Sequence, residues 1–358
     1  MKEKAVDRFI THQQGYAAAW AASRKLPPPP FSWGASWVEP GAGDEDATTI
    51  ERAVADWRTD PRGWFTKLGS PTVTEVSQAE LLVQPARANG PGGRQHRASV
   101  FSRRLSTRIT GGRMAVIIVP QWNPNHDSYL LKTRITQLTM LPLSTFVYMP
   151  QGESGHVSVA NHHEVDYETV SPNIGKTLQR FRSDVANIVA IARYLKEVER
   201  YEKVGLFSYS IGSSRALPAY VVSPGLFDYA IFHLVADDFA EAVLGGASTQ
   251  AIANVIRQHV SHDELQRVWR PLSPGAYVKY FSIFGPTVRL VQGKYDLAFG
   301  MENTHRFTGL FRAHARAGEI EEGEYGHYYT WREWPLALSM LQRDLRFIYR
   351  VTGLKYWL

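Results

Sequence analysis

The sequence predicts an α/β fold: a mostly parallel, doubly wound sheet with helices on both faces, a helical insertion and a helical N-terminal arm. Three observations carry this expectation. Met114-Ala115-Val116-Ile117-Ile118-Val119 is an unbroken apolar run, as expected of a strand buried on both faces of a parallel sheet. Beyond it, apolar strand-like runs alternate with helical segments, the rhythm of βαβ units. The chain has 358 residues, 44% of them apolar and 21% charged, enough for one large α/β domain with an insertion.

In chain order, residues 5–24 read as helix, because Ala17-Ala18-Ala19-Trp20-Ala21-Ala22 has high helix propensity. Pro27-Pro28-Pro29-Pro30 enforces an extended spacer. Ala47 to Leu68 reads as a second helical stretch carrying Trp57 and Trp64, so residues 1–70 form the expected arm and 71–358 the α/β domain. Strand-like alternation starts at Thr72 and continues through Leu81-Leu82-Val83. Asn89-Gly90-Pro91-Gly92-Gly93 is a turn cluster ahead of a strand at Ser99-Val100-Phe101. After the 114–119 strand come a helix at 128–139, a strand at 143–149 and a long helix from Pro172 to about Glu199. A strand follows that ends at Ser210, and then another from Phe227 to Val235. The rhythm breaks between Asp238 and Phe284, where short helices follow one another with no strand. An insertion here would lie over the C-terminal edge of the sheet, where α/β sheets bind ligands. It carries Phe239, Val243, Leu244, Val268, Trp269, Tyr277 and Tyr280. These are expected to line a pocket as a lid, with packing onto the domain body as the plainer alternative. Trp269, Tyr280 and Tyr328 are the expected pocket residues.

Composition narrows the function classes. No apolar run approaches the roughly 20 residues of a membrane span. Met1 to Arg8 is too charged for a secretion leader, so a cytoplasmic protein is expected. With no cysteine, thiol catalysis and thiolate metal sites are excluded. The net charge of +6 is spread by interleaved acids and bases, and no nucleic-acid motif accompanies it. Between Glu80 and Asp127 there is no acid, while Arg87, Arg94, Arg97, Arg103, Arg104, Arg108 and Arg113 all fall there. That stretch reads as the solvated face of edge strands, with weak docking to an anionic surface as the sharper option. His156, His162, His163, Glu164 and Asp166 lack the i, i+4 spacing of a helical metal site and read as a polar loop. No metal and no cofactor are expected.

The chemistry-bearing segments lie at strand ends. Val204-Gly205-Leu206-Phe207-Ser208-Tyr209-Ser210-Ile211-Gly212-Ser213 reads as strand, sharp turn and helix, with Ser210 at the apex. This matches the small-x-Ser-x-Gly pattern of a nucleophile elbow, with Ser208 where glycine is usual. Downstream, Asp296 follows the apolar run Val288-Arg289-Leu290-Val291-Gln292-Gly293, and His327 lies in Glu324-Tyr325-Gly326-His327-Tyr328-Tyr329. A serine hydroxyl needs an imidazole to take its proton, and the imidazole needs a carboxylate to fix its tautomer and stabilise its cation. Asp237 and Asp238, after the 227–235 strand, are the alternative acids.

With these segments in place, the chain resembles a serine α/β-hydrolase. More narrowly, it is similar to a bacterial group related to the eukaryotic α/β-hydrolase-domain-containing proteins. The resemblance covers about residues 50–350. It rests on Val119-Pro120-Gln121-Trp122-Asn123, Val170-Ser171-Pro172-Asn173-Ile174-Gly175, the elbow, Leu272-Ser273-Pro274, Gly293 to Phe299, and Tyr325 to Thr330. It implies Ser210 as nucleophile, Asp296 as acid and His327 as base. The backbone amides of Ile211 and of Gln121 or Trp122 are implied as the oxyanion hole. The expected activity is cleavage of a small or lipid-like carboxylic ester, with thioesters and amides as neighbouring classes. An acyltransferase using the same acyl-enzyme and a non-enzymatic binding module on the same scaffold are the alternatives.

Overall fold

The computed structural model describes residues 27–34, 47–67, 69–84, 98–104, 113–120, 143–150, 166–283, 287–315, 317–327 and 334–353, together with single positions between 7 and 18. Within these residues one sheet organises the chain. Its strands are β1 (Thr72–Ser77), β2 (Glu80–Gln84), β3 (Ala98–Arg103), β4 (Met114–Val119), β5 (Ser144–Pro150), β6 (Lys203–Tyr209), β7 (Tyr229–His233), β8 (Val288–Gly293) and β9 (Glu319–Gly323). They lie in the order β1-β2-β3-β5-β4-β6-β7-β8-β9. The first three pairings are antiparallel, and every pairing from β5–β4 to β8–β9 is parallel.

The apolar run at 114–119 explains why the middle of the sheet is covered twice. Side chains alternate across a strand, so Ala115, Ile117 and Val119 join one core while Met114, Val116 and Ile118 join another on the opposite face. All six are buried. On the first face pack α1 (Ala47–Thr59), α2 (Pro61–Thr66), α4 (Ile174–Glu197) and α5 (Ile211–Val222). α3 (Asp166–Thr169) is a single turn before α4. The insertion supplies α6 (Phe239–Gly245), α7 (Gln250–Ile256) and α8 (His262–Trp269), followed by 3₁₀ turns. α9 (Met301–His314) joins β8 to β9, and α10 (Trp334–Thr352) sends Met340, Leu341, Leu345, Phe347 and Ile348 into the second core.

The expected single helix over 47–68 is two. It breaks at Asp60, whose side chain accepts from the Gly63 amide as the N-cap of α2, with Pro61 at the first position. Proline disfavours helical backbone in the residue before it and is well suited to N1. Trp57 and Trp64 do not stand on a separate arm: both are buried in the main core, with Trp57 Nε1 donating to Tyr277 Oη at 2.8 Å. Pro27–Pro30 has no regular secondary structure, and the chain after it is tied to the start of α4, where Ile174 N donates to Ser32 O. The expected helix at 128–139 lies outside the described residues. Among the described residues, no helix is long and apolar enough to cross a membrane.

Candidate active site

The serine turn has a constrained backbone. Ser210 ends the β6 connection and caps α5 with φ 54° and ψ −131°, a conformation few L-residues adopt. Non-glycine residues held there store strain that the surroundings must oppose. The surroundings supply it. Ser210 N donates to His233 O at 2.9 Å, and Ser213 N donates to Ser210 O at 2.8 Å. Gly212 is required because a Cβ there would lie 2.4 Å from the carbonyl oxygens of Val119 and Pro120, the end of β4. Helix and strand therefore meet backbone to backbone, as the elbow pattern predicts.

Ser208, which stands where glycine is usual, fits without opening the turn. Its hydroxyl is fully buried and lies 3.0 Å from Ser213 Oγ, which in turn donates to His233 O at 3.0 Å. The departure from the pattern is thus matched by a second serine on α5. Together they join β6, α5 and β7 beneath Ser210.

The three predicted polar residues converge. Ser210 Oγ lies 2.7 Å from His327 Nε2, and His327 Nδ1 lies 2.7 Å from Asp296 Oδ2. Asp296 is fully buried, and its other oxygen accepts from the amides of Ala298 at 2.9 Å and Phe299 at 3.0 Å. Those bonds leave the carboxylate one direction in which to point. Because an ionised carboxylate only accepts, the proton of a neutral His327 sits on Nδ1 and the Nε2 lone pair faces the serine hydroxyl. The edge of Phe299 packs on the imidazole with ring centroids 4.8 Å apart.

Asp237 and Asp238 are placed elsewhere. Asp238 accepts from Glu241 N as the N-cap of α6, and burial pushes its carboxyl up. Asp237 faces the guanidinium of Arg306 at 3.3 Å. Ile211 begins α5, so its amide is one of the first-turn donors that a helix leaves without an internal acceptor. Gln121, Trp122 and Tyr328 lie outside the described residues, as do Arg87, Arg94, Arg97, Arg108, His156, His162, His163 and Glu164. Of the basic stretch, Arg104 pairs with Glu75 and Glu199, and Arg113 reaches Glu199 at 3.8 Å.

The expected lid residues are corrected in part. Trp269 is fully buried, packs on Phe239 with centroids 5.4 Å apart, and donates from its indole nitrogen to Ile174 O at 3.3 Å. It belongs to the core that the insertion shares with α4. Phe239, Val243, Leu244, Val268 and Tyr277 join the same core, and Tyr280 packs half-buried against it with Arg62 and Lys279 over its ring. Apolar bulk in the sequence did reveal burial, but could not say against what.

Two further features were missed. Gln13, from the N-terminal segment, is 1% exposed and accepts from His327 N at 3.0 Å and Leu297 N at 3.2 Å. Beneath the elbow, His233 Nε2 lies 2.8 Å from Asp344 Oδ2, and Asp344 Oδ1 accepts from Arg289 Nε at 2.8 Å. Burial alone would raise the Asp344 carboxyl, but His233 and Arg289 outweigh it and hold the group below the usual carboxylate range. Histidine, aspartate and arginine are individually common, and no short spacing joins positions 233, 289 and 344.

No protein-family model matches the sequence, and no curated protein sequence matches it. Solved structures do. An acetyl xylan esterase from Paenibacillus sp. R4 superposes with a TM-score of 0.50 at 10% identity, covering 84% of this chain and 99% of that one. The Pyrococcus horikoshii acylaminoacyl peptidase gives 0.48 at 13% identity, covering 79% of this chain; the chain spans only 42% of that peptidase's length. The peroxisomal α/β-hydrolase of Saccharomyces cerevisiae gives 0.48 at 9% identity, over 80% and 92% of the two chains. At such identities the likeness is one of architecture. The parallel sheet flanked by helices and the strained serine between β6 and α5 agree with it: the chain has the α/β-hydrolase fold.

Proposed function

We propose that this protein is a serine hydrolase that cleaves carboxylic esters through an acyl-enzyme on Ser210. The observation that carries the reading is the continuous line from Asp296 Oδ2 through His327 to Ser210 Oγ, with both links at 2.7 Å. A hydroxyl at hydrogen-bond distance from an imidazole, itself oriented by a buried carboxylate, is what nucleophilic acyl transfer at neutral pH requires.

In this reading His327 Nε2 takes the Ser210 proton as Oγ attacks the carbonyl carbon. The negative charge that develops on the carbonyl oxygen is met by the Ile211 amide at the N-terminus of α5. Such a donor is worth about 3 kcal/mol in a serine hydrolase, and the α5 dipole acts in the same direction. A second amide from Gln121 or Trp122 completes the proposed oxyanion hole. The imidazolium, stabilised by Asp296, then protonates the leaving alkoxide, and the alcohol departs. Water deprotonated by His327 attacks the acyl-enzyme, and the returning proton restores Ser210. Every proton is carried by His327, and no metal enters the sequence.

The test is turnover of p-nitrophenyl acetate and butyrate with product analysis. Carboxylic acid should form in step with p-nitrophenol, and Ser210→Ala should abolish both. If added alcohol captures the acyl group as a new ester while water scarcely competes, the protein is an acyltransferase. If neither ester turns over and no serine is acylated, the reading fails.

A further inference from the structure

Among the described residues of the N-terminal segment, Gln13 reaches the loops that carry Asp296 and His327. Gln13 is 1% exposed although it lies 314 residues from His327 in the chain. Its Oε1 accepts from the amides of His327 at 3.0 Å and Leu297 at 3.2 Å, and its Nε2 donates to the carbonyl of Tyr295. Tyr295 and Leu297 flank Asp296. One primary amide therefore straddles the acid and holds the backbone of the base.

Its orientation is fixed by chemistry. Two N–H groups face the oxygen and one carbonyl faces the nitrogen, so a flipped amide would set donors against donors and an acceptor against an acceptor. On the other side of this junction Tyr295 N donates to Tyr325 O at 3.1 Å and Lys294 N to Gly323 O at 3.0 Å, and Glu324 accepts from Lys294 Nζ and Tyr295 Oη. Gln13 closes the side that carries the histidine. The space it fills exists because residue 326 is glycine: a Cβ there would lie 2.1 Å from the Gln13 amide carbon.

Resting on the hydrolase reading above, we infer that Gln13 is a positioning residue, a strap from the N-terminal segment that holds His327 in register with Asp296 and Ser210. Without the strap, three backbone polar groups lose this partner, the buried His327 amide among them, and the base loop is free to move relative to the acid. Displacement of a catalytic group by about 1 Å costs on the order of 10²-fold in rate. The N-terminal segment thereby becomes part of the catalytic apparatus without touching substrate.

The experiment uses the full-length protein with Gln13→Met, which keeps length and removes the amide, and Gln13→Glu, which keeps the acceptor but opposes the Tyr295 carbonyl. Three readings are taken: kcat and KM for p-nitrophenyl acetate, the rate of fluorophosphonate labelling at Ser210, and hydrogen exchange at the His327 and Leu297 amides. In Gln13→Met, kcat and labelling should each fall about 30-fold, with KM within about twofold. Exchange at the two amides should rise by at least about 10-fold. Gly326→Ala evicts the Gln13 amide by another route, so it should reproduce the loss and add little to Gln13→Met in the double variant. Labelling and kcat within twofold of the parent in Gln13→Met overturn the inference, whatever the exchange shows. A parent protein that does not label at Ser210 overturns the hydrolase reading itself, which separates the two failures.

Discussion

Two histidines in this protein each hold a buried carboxylate, His327 with Asp296 at 2.7 Å and His233 with Asp344 at 2.8 Å. They differ in which nitrogen is used and in what the other nitrogen meets. His327 binds its acid through Nδ1 and turns Nε2 toward the Ser210 hydroxyl. His233 binds through Nε2, its ring lies against Phe207 and Tyr209, and its Nδ1 has no hydrogen-bond partner among the described residues. The carboxylates differ as well. The second oxygen of Asp296 takes two backbone amides, whereas that of Asp344 takes the Arg289 guanidinium. A buried carboxylate held between a histidine and an arginine, with no hydroxyl on the histidine's other nitrogen, anchors structure. His233 also supplies, through its carbonyl, the acceptor for Ser210 N and Ser213 Oγ. Identical residue pairs thus have different settings: one faces a serine hydroxyl and, in the proposed function, moves a proton, while the other holds the turn that carries that serine.

The sharpest way to break this comparison is at the hydroxyl. Ser210→Ala should lower kcat on the order of 10⁶-fold while the thermal midpoint stays within a degree or two of the parent. At the acids the two pairs should separate. Asp296→Asn should cost about 10⁴-fold in kcat with stability nearly unchanged, because an amide fixes the wrong tautomer. Asp344→Asn should do the reverse, destabilising the fold by about 2 kcal/mol as His233 and Arg289 Nε lose a charged acceptor, while Glu319 and Glu321 still hold the rest of the guanidinium. Denaturant melts paired with kcat of the folded protein would expose any exchange of roles.

Acid sharpens the second pair further. Because the folded-state Asp344 carboxyl lies below its ordinary value, its contribution to stability is fully present above the unfolded value of about 3.9. It is lost as pH falls through the lower folded value. The gap in melting temperature between the parent and Asp344→Asn should therefore be constant above about pH 5 and close below pH 4. A gap that does not begin to narrow as pH falls below about 4 would mean the carboxylate is not what stabilises the turn. The smallest expected effect is at the serine pair: Ser213→Ala should cost about 1 kcal/mol in stability, seen as a shifted urea midpoint.

The elbow and its partners were legible because each sits at a punctuation mark: an apolar strand, then a small or acidic residue, then a turn. The sheet was legible from runs such as Met114–Val119, since a doubly buried strand has no polar face to disguise it. The break at Asp60-Pro61 was also written in the sequence, but helical periodicity on both sides masked it. Trp269 is different in kind. Its hydrophobicity predicts burial, and only the path of α4 decides whether it meets a core or a ligand. Gln13 is harder still, because a glutamine bonded to backbone amides 284 and 314 residues away leaves no local signature.

In the proposed function Ser210, and not a neighbouring hydroxyl, is the activated nucleophile. Ser208 and Ser213 lie close by, are buried, and pair with each other at 3.0 Å and not with an imidazole. The most direct measurement is to react the intact protein with a fluorophosphonate and map the adduct by peptide mass spectrometry. A single phosphonylated residue, Ser210, is expected. An adduct on Ser208 or Ser213, or an unmodified protein under conditions that label a known serine esterase, would contradict it.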